Sequence, residues 1–175
     1  MMIQYCRQYP PDRAMKKFQA LLILVAGLAL AGCPNSAYFE PTPISGTGKA
    51  MVYIYRPAAT TPGPARPLFL SYPEIKVDGN SVGFVKYNTY IAVEVEPGVR
   101  EFLATGLTPD ARWEPKDMKY KLKTEAGKSY YLRLRVEFDV EKMSLGSFTN
   151  QYIINFGQVN STDAVYEIRH TDKLK

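Results

Sequence analysis

Residues 130–141 alternate between apolar and charged side chains, and this pattern constrains the fold more than any other. The apolar set is Leu132, Leu134, Val136, Phe138 and Val140, and the charged set is Arg133, Arg135, Glu137, Asp139 and Glu141. Successive side chains of a β-strand point to opposite faces, so a period of two places each set on its own face. One face therefore lies on a core while the other meets water, which predicts an antiparallel sheet.

Short β patterns separated by turn residues fill the rest of residues 49–175. The predicted strands are 50–56, which is apolar on both faces, and then 68–72, 74–77, 81–86, 89–96, 99–105, 118–124, 130–141 and 151–159. Many short strands at this spacing predict an all-β protein, an antiparallel β-sandwich of immunoglobulin-like or transthyretin-like type. The tail fits either a short C-terminal helix, capped by Ser161 or Thr162 and ending at Arg169, or a strand over 165–169.

Residues 15–33 (MKKFQALLILVAGLALAGC) combine a basic start, an apolar run and small residues before a cysteine. Lys16 and Lys17 supply the charge, and residues 18–32 carry none. This order is typical of a secretory signal peptide. A membrane-spanning helix is a weaker interpretation, because a span needs about 20 apolar residues and the run here is shorter.

The end of this segment, residues 30–33 (LAGC), resembles the signal box of bacterial lipoproteins. The resemblance implies that cleavage follows Gly32 and that Cys33 is acylated and becomes the first residue of the mature chain. Lipid on Cys33 would then hold the chain to a membrane, facing the periplasm of the cell envelope. Pro34 stands where Asp commonly marks inner-membrane retention in related lipoproteins, so the outer membrane is expected rather than the inner one.

Three segments follow from these patterns. Residues 1–32 are expected to form a leader, in which 15–32 are the lipoprotein signal peptide and 1–14 reflect a start assigned too early, with a genuine cytoplasmic extension as the less favoured alternative. Residues 33–48, rich in Pro, Gly, Ser and Thr, are expected to be a flexible linker, although Tyr38 and Phe39 could instead tack it onto the domain. Residues 49–175 form one β-sandwich domain.

Processing at Cys33 changes the charge and the thiol content. The chain has 22 Lys+Arg and 17 Asp+Glu, and removal of residues 1–32 leaves 18 and 16, a nearly balanced domain. No concentrated basic face indicates nucleic-acid binding. Cys6 is lost with the leader and Cys33 is consumed by lipid, which excludes a disulfide or a Cys-based metal site.

Catalytic and metal-binding patterns are sparse. His170 is the only histidine of the chain, whereas a catalytic triad or a zinc site needs more imidazoles or thiolates. Glu137, Asp139 and Glu141 share a strand face, but same-face neighbours lie about 6.8 Å apart, too far to hold one Ca²⁺ without loop ligands. A solvated face is the favoured interpretation of these acids. We expect no enzyme activity, no cofactor and no metal.

Trp113 is the only tryptophan, and it lies beside Arg112 in a predicted loop over residues 106–117. Exposed aromatic side chains on loops commonly serve binding, so Trp113 and Arg112 are the candidate contact surface. The alternative is that Trp113 folds back to cover one end of the sandwich.

Residues 52–57 (VYIYRP), 75–79 (IKVDG) with Val82-Gly83, and 95–98 (VEPG) resemble the DUF2846 lipoproteins, which are lipid-anchored envelope proteins of unknown function. The VDG and PG turns are also similar to PEGA-type sandwich modules. The resemblance brings no catalytic residues. The expected function is a non-catalytic, lipid-anchored protein-interaction or accessory structural module with an envelope protein as partner. The alternative is a glycan- or peptidoglycan-binding lipoprotein that uses Trp113 and neighbouring tyrosines.

Overall fold

The computed structural model describes residues 39–46, 48–60, 66–106, 116–141 and 152–174. Within these residues nine strands and one helix follow along the chain: β1 (Ala50–Arg56), β2 (Glu74–Val77), β3 (Asn80–Phe84), β4 (Thr89–Val95), β5 (Gly98–Thr105), β6 (Asp117–Thr124), β7 (Ser129–Phe138), β8 (Tyr152–Val159), α1 (Ser161–Ile168) and β9 (Asp172–Lys173). The predicted all-β, sandwich-like fold with a short C-terminal helix is confirmed.

The strands form two sheets. The five-stranded sheet has the order β8-β7-β1-β4-β9, and the four-stranded sheet has the order β3-β2-β5-β6. Most neighbours are antiparallel, but β1 pairs in parallel with β7 and β4 pairs in parallel with β9. The prediction of antiparallel pairing was therefore wrong for these two pairs. Alternation along a strand tells which face is buried, but it carries no information on the direction of the neighbouring strand.

The main core lies between the two sheets. Leu132 and Leu134 of β7 are fully buried there, together with Phe102 of the four-stranded sheet. The alternation in β7 is confirmed for these side chains, but Val140 is 62% exposed rather than in the core. The reason is that β7 and its ladder with β8 end at Phe138, and residues 140–141 are helical, so Val140 lies beyond the sheet.

A second apolar cluster covers the outer face of the five-stranded sheet. Phe39 packs edge-on against Tyr53 and Tyr90, with ring centroids 5.1 and 5.3 Å apart, and α1 buries Ala164 and Ile168 on the same face. Phe39 therefore packs the start of the described chain against the domain, which is one of the two possibilities that the sequence left open. β1 is buried on both faces, as its apolar sequence predicts.

The tail and one predicted strand differ from expectation. The α1 alternative for the tail is the observed one, but its cap is Asn160, whose Oδ1 accepts the Asp163 N–H at 2.9 Å, rather than Ser161 or Thr162. Residues 68–72 form no strand. Residues 67–70 turn instead, and Leu68 has a φ of 47°, in the left-handed region that a strand residue does not adopt.

Candidate functional site

The three longest strand connections leave from one end of the sandwich. Arg56 pairs with Thr89, Glu74 with Thr105 and Phe138 with Tyr152, so the connections 57–73, 85–88, 106–116 and 139–151 share this end. The other end carries the short connections 78–79, 96–97 and 125–128. We call the first the long-connection end. Binding residues concentrate on loops that a rigid scaffold positions, so this is the end where a contact site is expected.

Arg56 organises the described part of this end. It is the last residue of β1 and only 1% exposed, because both faces of that strand are covered. One Nη donates to the carbonyl oxygens of Pro67 and Leu68 at 2.7 and 2.9 Å, and the other donates to the carbonyl of Ser71 at 2.8 Å. Burial lowers the pKa of Arg56 to about 10, so the guanidinium is still cationic at neutral pH.

These bonds hold a turn that faces solvent. With its carbonyls directed inward onto Arg56, the turn of residues 67–70 leaves the Phe69 side chain 41% exposed and that of Leu70 76% exposed. The arrangement explains why residues 68–72 do not form a strand, since the carbonyls that would join a ladder bond to Arg56 instead. Because Phe69 and Leu70 are exposed, they contribute little to the stability of the fold. Exposed apolar patches commonly mark contact sites.

Two cations lie over aromatic rings at this end of the sandwich, and one of these rings is Phe69. The guanidinium carbon of Arg66 lies 5.2 Å from the ring centroid of Phe69 and 5.8 Å from that of Tyr87, and the Lys86 Nζ lies 5.3 Å from the ring centroid of Tyr72. These are cation–π distances. Arg66 and Lys86 are exposed, and no carboxylate of the described residues forms an ion pair with either. We call Arg66, Phe69, Leu70, Tyr87 and Lys86 the aromatic turn patch.

The predicted site residues fall largely outside the part of the chain that the structure describes. Cys33, Gly32, Arg112 and Trp113 all lie there, so lipidation, cleavage and the loop contact stay predictions. The strand ends that flank the loop of Trp113 are described: Thr105 pairs with Asp117 at the long-connection end. The loop therefore leaves from the same end as the aromatic turn patch.

The other candidates are now placed. His170 is exposed, and its Nε2 accepts the Arg169 Nε–H at 2.9 Å. Glu137 accepts from the Thr60 N–H at 3.1 Å and pairs with Arg135 at 3.3 Å. Among the described residues, no three His, Cys, Asp or Glu side chains are grouped to hold a metal ion. Glu137 serves instead to hold the loop that follows β1.

Sequence reasoning missed Arg56, Phe69 and Leu70 as a functional group. One signal was present: Arg56 is a single charge at the end of a strand that is apolar on both faces. An ion at such a position is buried, and a buried ion must be hydrogen-bonded. The partners could not be read in advance, because they lie 11 to 15 residues further along the chain.

The fold is a β-sandwich domain, and exposed apolar and cationic side chains lie together at its long-connection end. A family model described as "Protein of unknown function (DUF2846)" matches residues 46–148. The match covers more than half of the chain, so the chain belongs to the DUF2846 family. Comparisons with curated proteins and with solved structures give no significant match. Within the described residues, no helix combines the length and the apolar content that crossing a membrane requires.

Proposed function

We propose that this chain is a lipid-anchored, non-catalytic lipoprotein of the cell envelope that acts as a protein-interaction or accessory structural module. The observation that carries the proposal is the long-connection end, where a buried arginine fixes the turn of residues 67–70 and the loop of Trp113 leaves from paired Thr105 and Asp117. A surface fixed before binding loses little conformational entropy on contact, and such preorganisation favours affinity. The leader of residues 1–32, which ends directly before Cys33, supports the location.

The anchor is the lipid on Cys33, with cleavage after Gly32, on the periplasmic side of the outer membrane rather than the inner one. A single acyl chain binds a membrane only marginally, so a stable anchor carries more than one. The support is the sequence of residues 15–33.

The partner is an envelope protein that meets the long-connection end, with Trp113 and Arg112 in the contact. Aromatic and arginine side chains dominate the binding energy of protein interfaces. The loop that carries both residues begins and ends beside paired Thr105 and Asp117, which supports a position near the aromatic turn patch.

A glycan is the second candidate, because Tyr72, Tyr87 and Phe69 cluster at the same end. Sugar rings stack on open aromatic faces. Here Arg56 and Arg66 lie 5.7 and 5.8 Å from the ring centroid of Tyr87, and Lys86 lies over Tyr72. Since cations already occupy these faces, the described rings favour the protein partner over the glycan.

Two experiments test the proposal. In the first, cells are fed a fatty-acid analogue, and we expect labelling of the natural chain and none of Cys33→Ser, because the thioether to lipid forms only on sulfur. Equal labelling of Cys33→Ser would overturn the anchor. In the second, a photo-crosslinker replaces Trp113 in cells, with Ser81 at the other end as the matched control. A specific envelope-protein adduct at residue 113 supports the module, and enrichment on purified cell-wall sacculi without an adduct supports the glycan alternative.

A further inference from the structure

We propose that the aromatic turn patch rests on an anionic phospholipid surface, with Phe69 and Leu70 in the interfacial layer and Arg66 and Lys86 against the headgroup phosphates. The inference rests on the proposed anchor for its biological setting, and it names the bilayer itself as the first partner of the long-connection end. Surface composition, charge and the short reach of the chain from Cys33 to Phe39 each support it.

The composition of the patch is that of an interfacial segment. Leu70 and Phe69 are the most exposed part of their turn, at 76% and 41%. Interfacial segments combine a small apolar surface with basic side chains beside it, and binding grows with the apolar area and with attraction to anionic lipids. Lys and Arg also bury their stems while their charged ends stay at the headgroups.

The two cations of the aromatic turn patch form no ion pair within the described residues. At the end with the short connections two ion pairs are present, between Arg100 and Asp78 at 3.0 Å and between Lys128 and Glu125 at 2.7 Å. At the long-connection end no ion pair within the described residues involves Lys86. Anionic headgroups attract cations, and this attraction falls off within a Debye length of the membrane surface. The end that contacts the membrane must therefore carry cations close to the headgroups.

Further charges lie beside the patch, both basic and acidic. Asn88 Nδ2 donates to the carbonyl of His170 at 2.8 Å, which brings the end of α1 and β9 next to the connection 85–88. The nearby cations are therefore Arg169 and Lys173, and Asp172 is the acid between them. Glu137 reaches this end as well, but its charge is paired with Arg135.

The start of the described chain crosses the outer face of the five-stranded sheet. Phe39 packs on Tyr53 and Tyr90, and the Ser45 N–H donates to Glu94 Oε1 at 2.6 Å, near the last residue of β4.

Cys33 precedes Phe39 by six residues, which span at most roughly 22 Å when fully extended. A lipid on Cys33 would therefore keep the domain close to the bilayer.

The test uses vesicles and the full chain as Cys33→Ser, so that no lipid contributes to binding. Co-sedimentation is measured with vesicles of equal parts phosphatidylglycerol and phosphatidylcholine, and with phosphatidylcholine alone. We expect binding to the anionic vesicles that weakens with added salt. Leu70→Ser should lower the partition coefficient by about tenfold, and Lys86→Gln by about fivefold.

The matched controls lie at the other end of the sandwich. Val99 is 66% exposed and pairs in register with Lys123, so Val99→Ser and Lys123→Gln remove the same chemistry far from the patch. Both should bind as the parent chain does, with unchanged circular dichroism for every variant. Equal losses at the two ends, or no binding to anionic vesicles, would overturn the inference.

A second measurement places the contact in cells. A photo-crosslinker at residue 70 of the lipidated chain should yield a phospholipid adduct, and a protein adduct in its place would overturn the inference. Fatty-acid labelling of the same cells reports on the anchor separately. If the protein binds vesicles but is not labelled in cells, the proposed lipid anchor is rejected and the lipid contact of the patch stands. If the protein is labelled but does not bind vesicles, only the lipid contact of the patch is rejected.

Discussion

Tyr55 donates its hydroxyl to Glu167 Oε2 at 2.7 Å, across 112 residues of the chain. The other oxygen of the same carboxylate accepts from Arg133 at 2.6 Å. Glu167 is thus bound at once by β1 and β7, which are parallel neighbours, and it fixes α1 on the outer face of the five-stranded sheet. Burial and the bond to Glu167 raise the pKa of Tyr55 far above its ordinary range, so the phenol is a donor at any physiological pH.

The first prediction concerns this bond. Tyr55→Phe should lower the free energy of unfolding by about 1–2 kcal/mol, because a bond to a charged acceptor is lost while the ring still packs. Urea denaturation measures it. Tyr166→Phe is the control, since Tyr166 lies on the same helix and is 64% exposed. A Tyr55→Phe chain as stable as the control would show that the bond contributes nothing.

The second prediction concerns Arg56 and the turn that it holds. Arg56→Met should lower the free energy of unfolding by about 2–4 kcal/mol, because three carbonyls lose their donor. Arg56→Lys should not restore it, since an ammonium cannot reproduce the planar guanidinium fork. The rate of chymotrypsin cleavage after Phe69 measures the stability of the turn directly. The protease can cut this peptide bond only when the backbone of the turn unfolds locally.

The control for Arg56 is a core variant of similar cost. Val52 is fully buried and makes no contact with the turn carbonyls through its side chain. Val52→Ala should raise cleavage at all sites together, whereas Arg56→Met should raise cleavage at Phe69 above the rest. Uniform cleavage in both variants would mean that Arg56 acts on global stability and not on the turn.

The third prediction concerns acid stability. The Asp78 carboxylate accepts from the Glu101 N–H at 2.9 Å and from Arg100 at 3.0 Å, and these bonds, the first above all, hold its pKa below the ordinary value. A group with a lowered folded-state pKa contributes stability above its unfolded pKa of about 3.9, and this is lost as the pH falls through the folded value. Asp78→Asn should therefore flatten the fall in melting temperature below about pH 4.

Arg100→Gln is the matched variant for Asp78. It should reduce the fall in melting temperature at acid pH without abolishing it, because the Glu101 N–H still donates to the Asp78 carboxylate. Identical melting profiles of the natural chain and Asp78→Asn below pH 4 would refute the assignment.

The sequence predicted what depends on local pattern. Leu132 and Leu134 face the core because side chains alternate, and Asp78-Gly79 forms the predicted hairpin with φ values of 49° and 85°, as a tight turn requires. Pairing between distant strands could not be predicted. The β1–β7 ladder joins Met51 to Ser129 in parallel, and no local signal encodes that choice.

The candidate site, like the fold, could be predicted only in part from the sequence. A buried ion at the end of β1 could be suspected from the position of Arg56, but its acceptors are turn carbonyls set by tertiary contacts. Those contacts override the β-propensity of residues 68–72, since propensity is a weak preference that packing decides. Phe69 and Leu70 therefore looked like strand residues in the sequence and are exposed turn residues in the structure.

The last prediction tests Trp113, which lies outside the described residues. If its loop is a contact surface, Trp113→Ala should leave the melting temperature nearly unchanged and weaken partner capture by about 2 kcal/mol or more. If Trp113 instead covers the core, the same change should cost about 3–5 kcal/mol of folding free energy. Arg112→Ala is the companion variant, since it should weaken capture without a core effect.

Fluorescence separates the two outcomes directly, because Trp113 is the only indole in the chain. Red emission that a soluble quencher reduces indicates an exposed side chain, as the contact surface requires. Blue, protected emission combined with a large drop in melting temperature for Trp113→Ala would reject the contact role. In that case the proposed protein contact would lose Trp113, and the partner would have to meet other residues of the long-connection end.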